Sequence, residues 1–373
     1  MVNLLRRLGY PDRSAGKWTV NVMNVKPTIY NLFWLLLAGS VADLVIAQSE
    51  VTTFETLDEK RFFGERVLIE ADGKQLVWYG NEVPGVYPFV GDFDGDGLAD
   101  LLLGGRYAEW SGTLRIYRNT GTESKPQITA NGWFHEIEPT GTVRLGSGSP
   151  WLRPQLVDFD GDGRLNLLSG THCCDPYGFV FFPRSDDGTW KQRLHLQISK
   201  SQVKDSLGPR FVTAADWNGD GTPDLLCLAQ RKILVAVGPF NLTETITFAH
   251  EIELSGKSPD QLGGKSPDRL IFEFFHDFTV ADWDLDGMPD LLVRENGRIW
   301  WHRNLGGPGL TRLAERESLI QFTGEETVNG FCVYDWNADG LPDLIVTLRD
   351  TVSKNAEEDW QPREAVYLFP RRE

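Results

Sequence analysis

The sequence has few of the residues that build disulfide, zinc or nucleophilic sites. It contains four cysteines in 373 residues. Cys173 and Cys174 are adjacent, and Cys227 and Cys332 lie inside apolar runs. This spacing excludes a disulfide framework and paired C-x-x-C zinc ligands. Cys173 and Cys174 could bind a soft metal or form a strained vicinal disulfide, but we favour a packed turn. The six histidines share no motif with a nucleophile, so no catalytic triad can be drawn.

Two further absences narrow the fold and the partners. No long stretch has the apolar spacing of an amphipathic helix, while 38 glycines and 20 prolines indicate many turns. This favours an all-β fold. Basic residues are outnumbered, and the net charge of −16 argues against nucleic acid as a partner.

The N-terminal region is typical of an export signal. Lys26 precedes an apolar run of about a dozen residues, and small residues ending at Ala47 offer a cleavage site before Gln48. The run is short for a membrane span, although an uncleaved anchor is the alternative. We predict that residues 1–47 are removed, with Met23 as the true start. A single domain over residues 48–373 would then be secreted, periplasmic or on the cell surface, with no stable membrane span in the mature chain.

One motif recurs five times, as Asp-aromatic-[Asp/Asn]-x-Asp-Gly-x-x-[Asp/Asn]-Leu. The copies are Asp92–Leu101, Asp158–Leu167, Asp216–Leu225, Asp282–Leu291 and Asp335–Leu344. Their first aspartates are 66, 58, 66 and 53 residues apart. This spacing suits a repeating unit of about four short strands, which is one blade of a β-propeller.

The segments around each motif have the composition of strands. An apolar run precedes each loop, a second follows it, and a third lies further downstream. The fifth repeat ends before a fourth strand, whereas residues 66–79 contain unassigned strands. Because an open ring would leave unpaired edges, we predict a propeller of five four-stranded blades in which residues 66–79 complete the last blade. More than five blades is the alternative.

These motifs resemble the FG-GAP/VCBS repeats of integrin α-subunit propellers and of many secreted bacterial proteins, over roughly residues 86–370. The resemblance implies that each acidic loop joins the first two strands of a blade and holds Ca²⁺. Family propellers often have seven blades, whereas five motifs are legible here.

Each loop offers the hard oxygen ligands that Ca²⁺ takes in sets of six to eight. Positions 1, 3, 5 and 9 supply side-chain oxygens, and position 7 supplies a backbone carbonyl. The predicted ligands of the first two loops are Asp92, Asp94, Asp96, Leu98 and Asp100, then Asp158, Asp160, Asp162, Arg164 and Asn166. Those of the third and fourth loops are Asp216, Asn218, Asp220, Thr222 and Asp224, then Asp282, Asp284, Asp286, Met288 and Asp290. The fifth loop contributes Asp335, Asn337, Asp339, Leu341 and Asp343.

Neither an EF-hand nor a metal-free turn fits these loops as well. An EF-hand needs a glutamate at position 12 and flanking helices, which these loops lack. Solvated turns without metal would hold carboxylates together at a cost of about 4 kcal/mol per pair at 4 Å in an intermediate dielectric. We therefore predict about one Ca²⁺ per repeat, held least well by the second loop.

Residues before each innermost strand are expected to line one end of the central channel. They are Tyr87, Arg153, Arg210, His276, Asp277 and Asn329. Such polar and aromatic groups suit a polar ligand, including a sugar, although we favour the alternative that they are ordinary solvated turn residues. We predict a protein- or glycan-binding module. A carbohydrate-active enzyme on a propeller scaffold is the alternative, and a purely structural domain is the third.

Overall fold

The computed structural model describes most of the chain from residue 61 onward. The described residues are 61–79, 86–107, 111–133, 153–170, 179–191, 194–196, 199, 211–229, 232–254, 277–295, 297–306, 312–322, 326–353 and 360–372. The predicted signal region, residues 1–47, lies outside them, as do Cys173 and Cys174. The described residues belong to the compact unit Glu55–Glu373.

The described elements are strands. The N-terminal strands are β1 (Val67–Leu68), β2 (Glu70–Ala71), β3 (Lys74–Gln75) and β4 (Val77–Tyr79). The first blade contains β5 (Tyr87–Gly91), β6 (Asp100–Tyr107), β7 (Ser111–Asn119) and β8 (Ile128–Trp133). The second contains β9 (Arg153–Val157), β10 (Asn166–Gly170), β11 (Phe179–Phe182) and β12 (Leu194–His195).

The remaining blades follow the same pattern. The third contains β13 (Phe211–Ala215), β14 (Asp224–Ala229), β15 (Lys232–Ala236) and β16 (His250–Glu253). The fourth contains β17 (Asp277–Ala281), β18 (Asp290–Glu295), β19 (Arg298–His302) and β20 (Glu317–Gln321). The fifth contains β21 (Thr327–Tyr334), β22 (Asp343–Ser353) and β23 (Trp360–Phe369).

The five sheets form a closed ring. Within each blade the strands pair antiparallel in chain order, and every acidic loop joins the first strand to the second. The first strands of successive blades contact one another, and β21 of the last blade contacts β5 of the first. The prediction of an all-β, five-bladed propeller is therefore confirmed. Among the described residues, no helix has the length and apolar character needed to cross a membrane.

The N-terminal strands close the ring, as predicted, but they do so on two blades. Strands β1 and β4 both pair with β23, through Val67 opposite Leu368 and Val77 opposite Ala365. The hairpin between them, β2–β3, instead joins the outer edge of the first blade, where Ala71 pairs in parallel with Ile128. The segment 66–79 thus completes the fifth blade and also extends the first.

The aromatic residue at position 2 of each loop packs between blades. All five are buried: Phe93, Phe159, Trp217, Trp283 and Trp336. Each lies in a separate apolar cluster that contains residues of its own blade and the next one. The last, Trp336, packs with Val90 and Leu101 of the first blade. The loop motif therefore carries the residue that fills each junction between blades, as the alternation of a strand requires.

Candidate metal centre

The backbone of all five loops turns sharply at the same two positions. Position 6 is glycine in every copy, with φ between 85° and 90°. Position 4 also lies in the left-handed region, and there two copies carry Leu285 (φ 61°) and Ala338 (φ 53°) in place of glycine. Side chains rarely adopt this conformation. Its retention at both non-glycine residues indicates that the surrounding loop determines the turn.

The aspartates at positions 1 and 5 shape each loop by accepting backbone hydrogen bonds. The position 1 carboxylate accepts the N–H groups of positions 5 and 6, at 2.8–3.1 Å, in every copy. The position 5 carboxylate accepts the N–H of position 7, at 2.8–3.0 Å. These bonds orient the carboxylates toward the inside of the turn.

Three loops bring carboxylate oxygens together closely enough for one cation. The oxygens lie within 4.8 Å of one another in the sets Asp92–Asp94–Asp96, Asp158–Asp160–Asp162 and Asp282–Asp284–Asp290. In the third and fifth loops position 3 is asparagine, and the Oδ1 atoms of Asn218 and Asn337 accept the position 5 N–H at 2.8 and 2.9 Å. The donors are hard oxygens on a curved backbone, and this set fits Ca²⁺.

Position 9 has a second, structural task. One oxygen of Asp100, Asp224, Asp290 and Asp343 accepts the N–H of position 2, at 3.0–3.3 Å. The other oxygen accepts an N–H at the end of the third strand or just beyond it, at 2.7–3.0 Å. Burial raises the pKa of Asp100, Asp290 and Asp343 to about 6. Position 9 therefore ties the loop to its blade, and its role as a metal ligand stays a prediction in all five loops.

The second loop breaks this pattern. Asn166 is fully buried, and its Oδ1 accepts the N–H of Phe159 at 3.1 Å. Its amide nitrogen takes the place of the second carboxylate oxygen and has no hydrogen-bond partner among the described residues. This observation adds a physical reason to expect the second loop to be the weakest.

Arginines contact the acidic loops at places that the repeat motif does not reveal. Arg118 pairs with Asp94 at 3.1 Å, and Arg303 pairs with Asp284 at 2.5 Å and with Asp286 at 2.9 Å. Each arginine follows a residue of the third strand, Tyr117 or His302. That residue pairs with the leucine that ends the loop motif, Leu101 or Leu291. Each guanidinium offsets part of the negative charge of a four-acid loop.

A family model described as an FG-GAP-like repeat matches residues 92–169, 158–227 and 282–346. These segments cover more than half of the chain. The chain belongs to the FG-GAP-like repeat family. The matched segments contain all five acidic loops, and each segment runs from the acidic loop of one blade to the second strand of the next.

Individual similarities outside the family model are weak. The chain is 26% identical over 171 residues to a succinyl-diaminopimelate desuccinylase of Aromatoleum aromaticum, covering 44% of this chain and 41% of that relative. Among solved structures, it resembles a lectin of Agrocybe aegerita that recognises non-reducing terminal N-acetylglucosamine, with 15% identity and a TM-score of 0.40 over 76% of this chain and 65% of the lectin. It also resembles the Vibrio cholerae biofilm matrix protein Bap1, with 18% identity and a TM-score of 0.28 over 77% of this chain and 38% of that one. These values support no functional assignment.

The predicted channel residues of the FG-GAP-like propeller are partly brought together. Tyr87, Arg153 and Asp277 line a cavity of about 110 Å³ between the innermost strands. Arg153 forms an ion pair with Asp277 and lies 4.6 Å from the centre of the Tyr87 ring. Burial raises the pKa of Asp277 to about 6, although the charge of Arg153 opposes this shift. Arg153 thus contacts both Asp277 and Tyr87, and the role predicted for these residues in ligand binding stays a prediction.

Asn329, which is also a predicted channel residue, is not among the residues that line this cavity. Asn329 donates a hydrogen bond from its side chain to Glu364 at 2.8 Å. Arg210 and His276 fall outside the described residues.

A larger cavity lies on the loop face, at the seam between the last and first blades. Its volume is about 320 Å³, and Glu123, Tyr334, Asp335 and Trp336 contribute to its wall. Tyr334 is 39% exposed. Its pKa is raised by burial and then by the charges of Asp335, Glu123 and Asp92. Sequence reasoning missed this cavity, because Tyr334 and Glu123 lie outside the repeated motif.

Proposed function

We propose that this chain is an exported, calcium-stabilised propeller that binds a protein or glycan. The observation that carries the proposal is the repeated loop geometry. In three loops the carboxylate oxygens gather within 4.8 Å, and in all five the backbone turns inward at the same positions. Gathering these charges without a cation costs free energy, whereas Ca²⁺ binding offsets that cost.

The proposed binding role depends on which polar side chains are free to contact a ligand. Several acids outside the loops are paired with arginines, among them Asp277 with Arg153 and Asp350 with Arg363. The cavity at the seam between the last and first blades, which Glu123 and Asp335 line, has a volume of about 320 Å³. This volume falls within the range of roughly 300–1,000 Å³ that ligand pockets occupy.

Metal analysis and thermal unfolding test the calcium part of the proposal. We expect the purified protein to contain calcium, and we expect EDTA to lower the Tm and added Ca²⁺ to restore it. One ion that binds only the folded state stabilises it by about 2.7 kcal/mol at a hundredfold excess over its dissociation constant. Mg²⁺ is the matched control, because its demand for octahedral geometry suits these loops less well. Calcium-free protein with an EDTA-insensitive Tm would contradict the proposal.

Two further measurements address ligand and location. A screen of immobilised glycans and proteins, run with 2 mM Ca²⁺ and with EDTA, should give hits that depend on calcium. N-terminal sequencing of protein recovered outside the cell should begin near Gln48. Full-length chain retained in the membrane fraction would contradict export with cleavage.

A further inference from the structure

The seam cavity has a built wall that the repeat motif does not explain. The residue just before the first aspartate of the loop is Gly91, Val157, Ala215 and Ala281 in the first four blades. In the fifth blade it is Tyr334, which is 39% exposed and whose hydroxyl makes no hydrogen bond with a described residue. Packing in the other blades is achieved without an aromatic ring at this position, so the ring is available for contact with a ligand.

A rigid turn of the first blade holds a carboxylate at the same cavity. The turn spans residues 119–127, and Asn119 Oδ1 accepts the N–H groups of Gly121 and Gln127, at 3.0 and 3.1 Å. Thr122 and Lys125 exchange backbone hydrogen bonds across the turn. Space for a side chain at Gly121 is absent, since a Cβ there would lie 2.4 Å from the carbonyl oxygen of Lys125.

Glu123, near the tip of this turn, lines the cavity with Asp335. Within the described part of the chain, Glu123 forms no ion pair or hydrogen bond. Ca²⁺ in the neighbouring loops would not reverse the sign of the charge. The first loop has four acids and the fifth has three, and these outnumber the two positive charges of one ion in each.

We infer that the seam cavity between the fifth and first blades binds a lysine or arginine side chain of a protein partner. The aliphatic part of that side chain would lie along Tyr334 and Pro126, and its cationic end would face Glu123. A cation over a tyrosine ring is attracted by the negative face of that ring. The inference rests on the proposed binding role and specifies the chemistry of the partner.

Titration with blocked peptides tests this inference on the full-length protein in 2 mM Ca²⁺. The probes are acetyl-(Gly-Lys)₃-amide, its arginine equivalent and its uncharged norleucine equivalent. We expect the two basic peptides to bind and the norleucine peptide to bind at least tenfold more weakly. Tyr334→Ala should weaken binding of the basic peptides about tenfold and Glu123→Gln at least threefold, while Tyr334→Phe should retain it.

The matched control is Glu315→Gln, which removes one exposed carboxylate from the fourth blade. Equal weakening by Glu315→Gln and Glu123→Gln would mean diffuse attraction to an acidic protein and would overturn the inference. Equal binding of the norleucine peptide would overturn it as well. So would binding of free glucosamine, added as a further probe, without binding of either basic peptide. Metal content and Tm are measured on the same variants. Normal calcium binding without peptide binding would contradict this inference alone, whereas loss of calcium binding would contradict the proposed function.

Discussion

Glu364 connects the two ends of the ring and offers a sharp test of how the propeller is closed. Its carboxylate is fully buried on β23. Its Oε1 atom accepts the backbone N–H of Val86 at 2.7 Å and the side-chain amide of Asn329 at 2.8 Å. Val86 lies just before the first blade, and its carbonyl accepts a hydrogen bond from Thr347 at 2.6 Å. The last blade thus holds the start of the first.

The substitution Glu364→Ala removes the acceptor of both bonds. Hydrogen bonds to a charged group contribute about 1.5–3 kcal/mol each, and a buried N–H without an acceptor adds its desolvation cost. Removing a buried carboxylate relieves part of that loss. We expect a net decrease of about 3 kcal/mol in the free energy of unfolding. This is a large share of the roughly 5–15 kcal/mol that stabilises a folded protein.

Equilibrium unfolding in urea, followed by tryptophan fluorescence at fixed Ca²⁺, measures the change. Glu364→Gln keeps an acceptor oxygen at the same place and should lose about 1 kcal/mol. Glu70→Ala, at an exposed site, should change stability by no more than about 0.5 kcal/mol. Hydrogen exchange supplies a local measurement, because the Val86 amide should exchange faster in Glu364→Ala alone. Unchanged stability together with a still protected Val86 amide would refute the idea that this carboxylate holds the seam.

Three further predictions follow from single sites. Burial and then the charge of Arg316 lower the pKa of His302 from 6.5 to about 4, so about 3 kcal/mol of stability should be lost as the pH falls from 6.5 to 4. His302→Phe should flatten this part of the pH–stability curve, and an unchanged slope would contradict the assignment. Asn166→Asp restores the missing acceptor and should add about 1 kcal/mol to the free energy of unfolding above pH 6, as measured by urea unfolding with Ca²⁺. A loss of stability above pH 6 would contradict our account of the buried amide. Asp284→Ala should remove about one bound calcium per chain, whereas Asp284→Asn, which copies the third and fifth loops, should retain it. Equal calcium content of the two variants by metal analysis would count against a ligand role for position 3.

The parts of the fold that the sequence predicted are those repeated five times. The repeated motif predicted five strand-rich units, and the family resemblance that it carries implied that each acidic loop joins the first two strands of a blade. Repetition supplies this information, because one acidic loop alone is a weak signal. The closure of the last blade by residues 66–79 followed from counting strands, and the structure confirms it for β1 and β4.

The parts that the sequence did not predict depend on contacts between distant segments. Asp72 and Gly73 both have positive φ, and an Asp-Gly pair is a hairpin signal, so the β2–β3 hairpin was within reach of sequence reasoning. Its parallel pairing with β8 was not, because nothing local specifies the partner of an edge strand. The same holds for Arg118 and Arg303, whose contacts with the loops arise only after the third strand is placed. At position 4, Leu285 and Ala338 conceal a left-handed turn that glycine would have indicated.

Each loop joins a predicted metal site to the packing of the ring. The aspartate at position 9 accepts the N–H of the aromatic residue at position 2, as Asp290 does from Trp283 at 3.3 Å. That aromatic side chain fills the junction with the next blade, where Trp283 packs with Phe331 and Leu344. A cation that orders the loop therefore also orders the junction behind it. Because the five junctions form a closed ring, loss of one ion should loosen two blades at once, and we expect calcium to stabilise the propeller cooperatively.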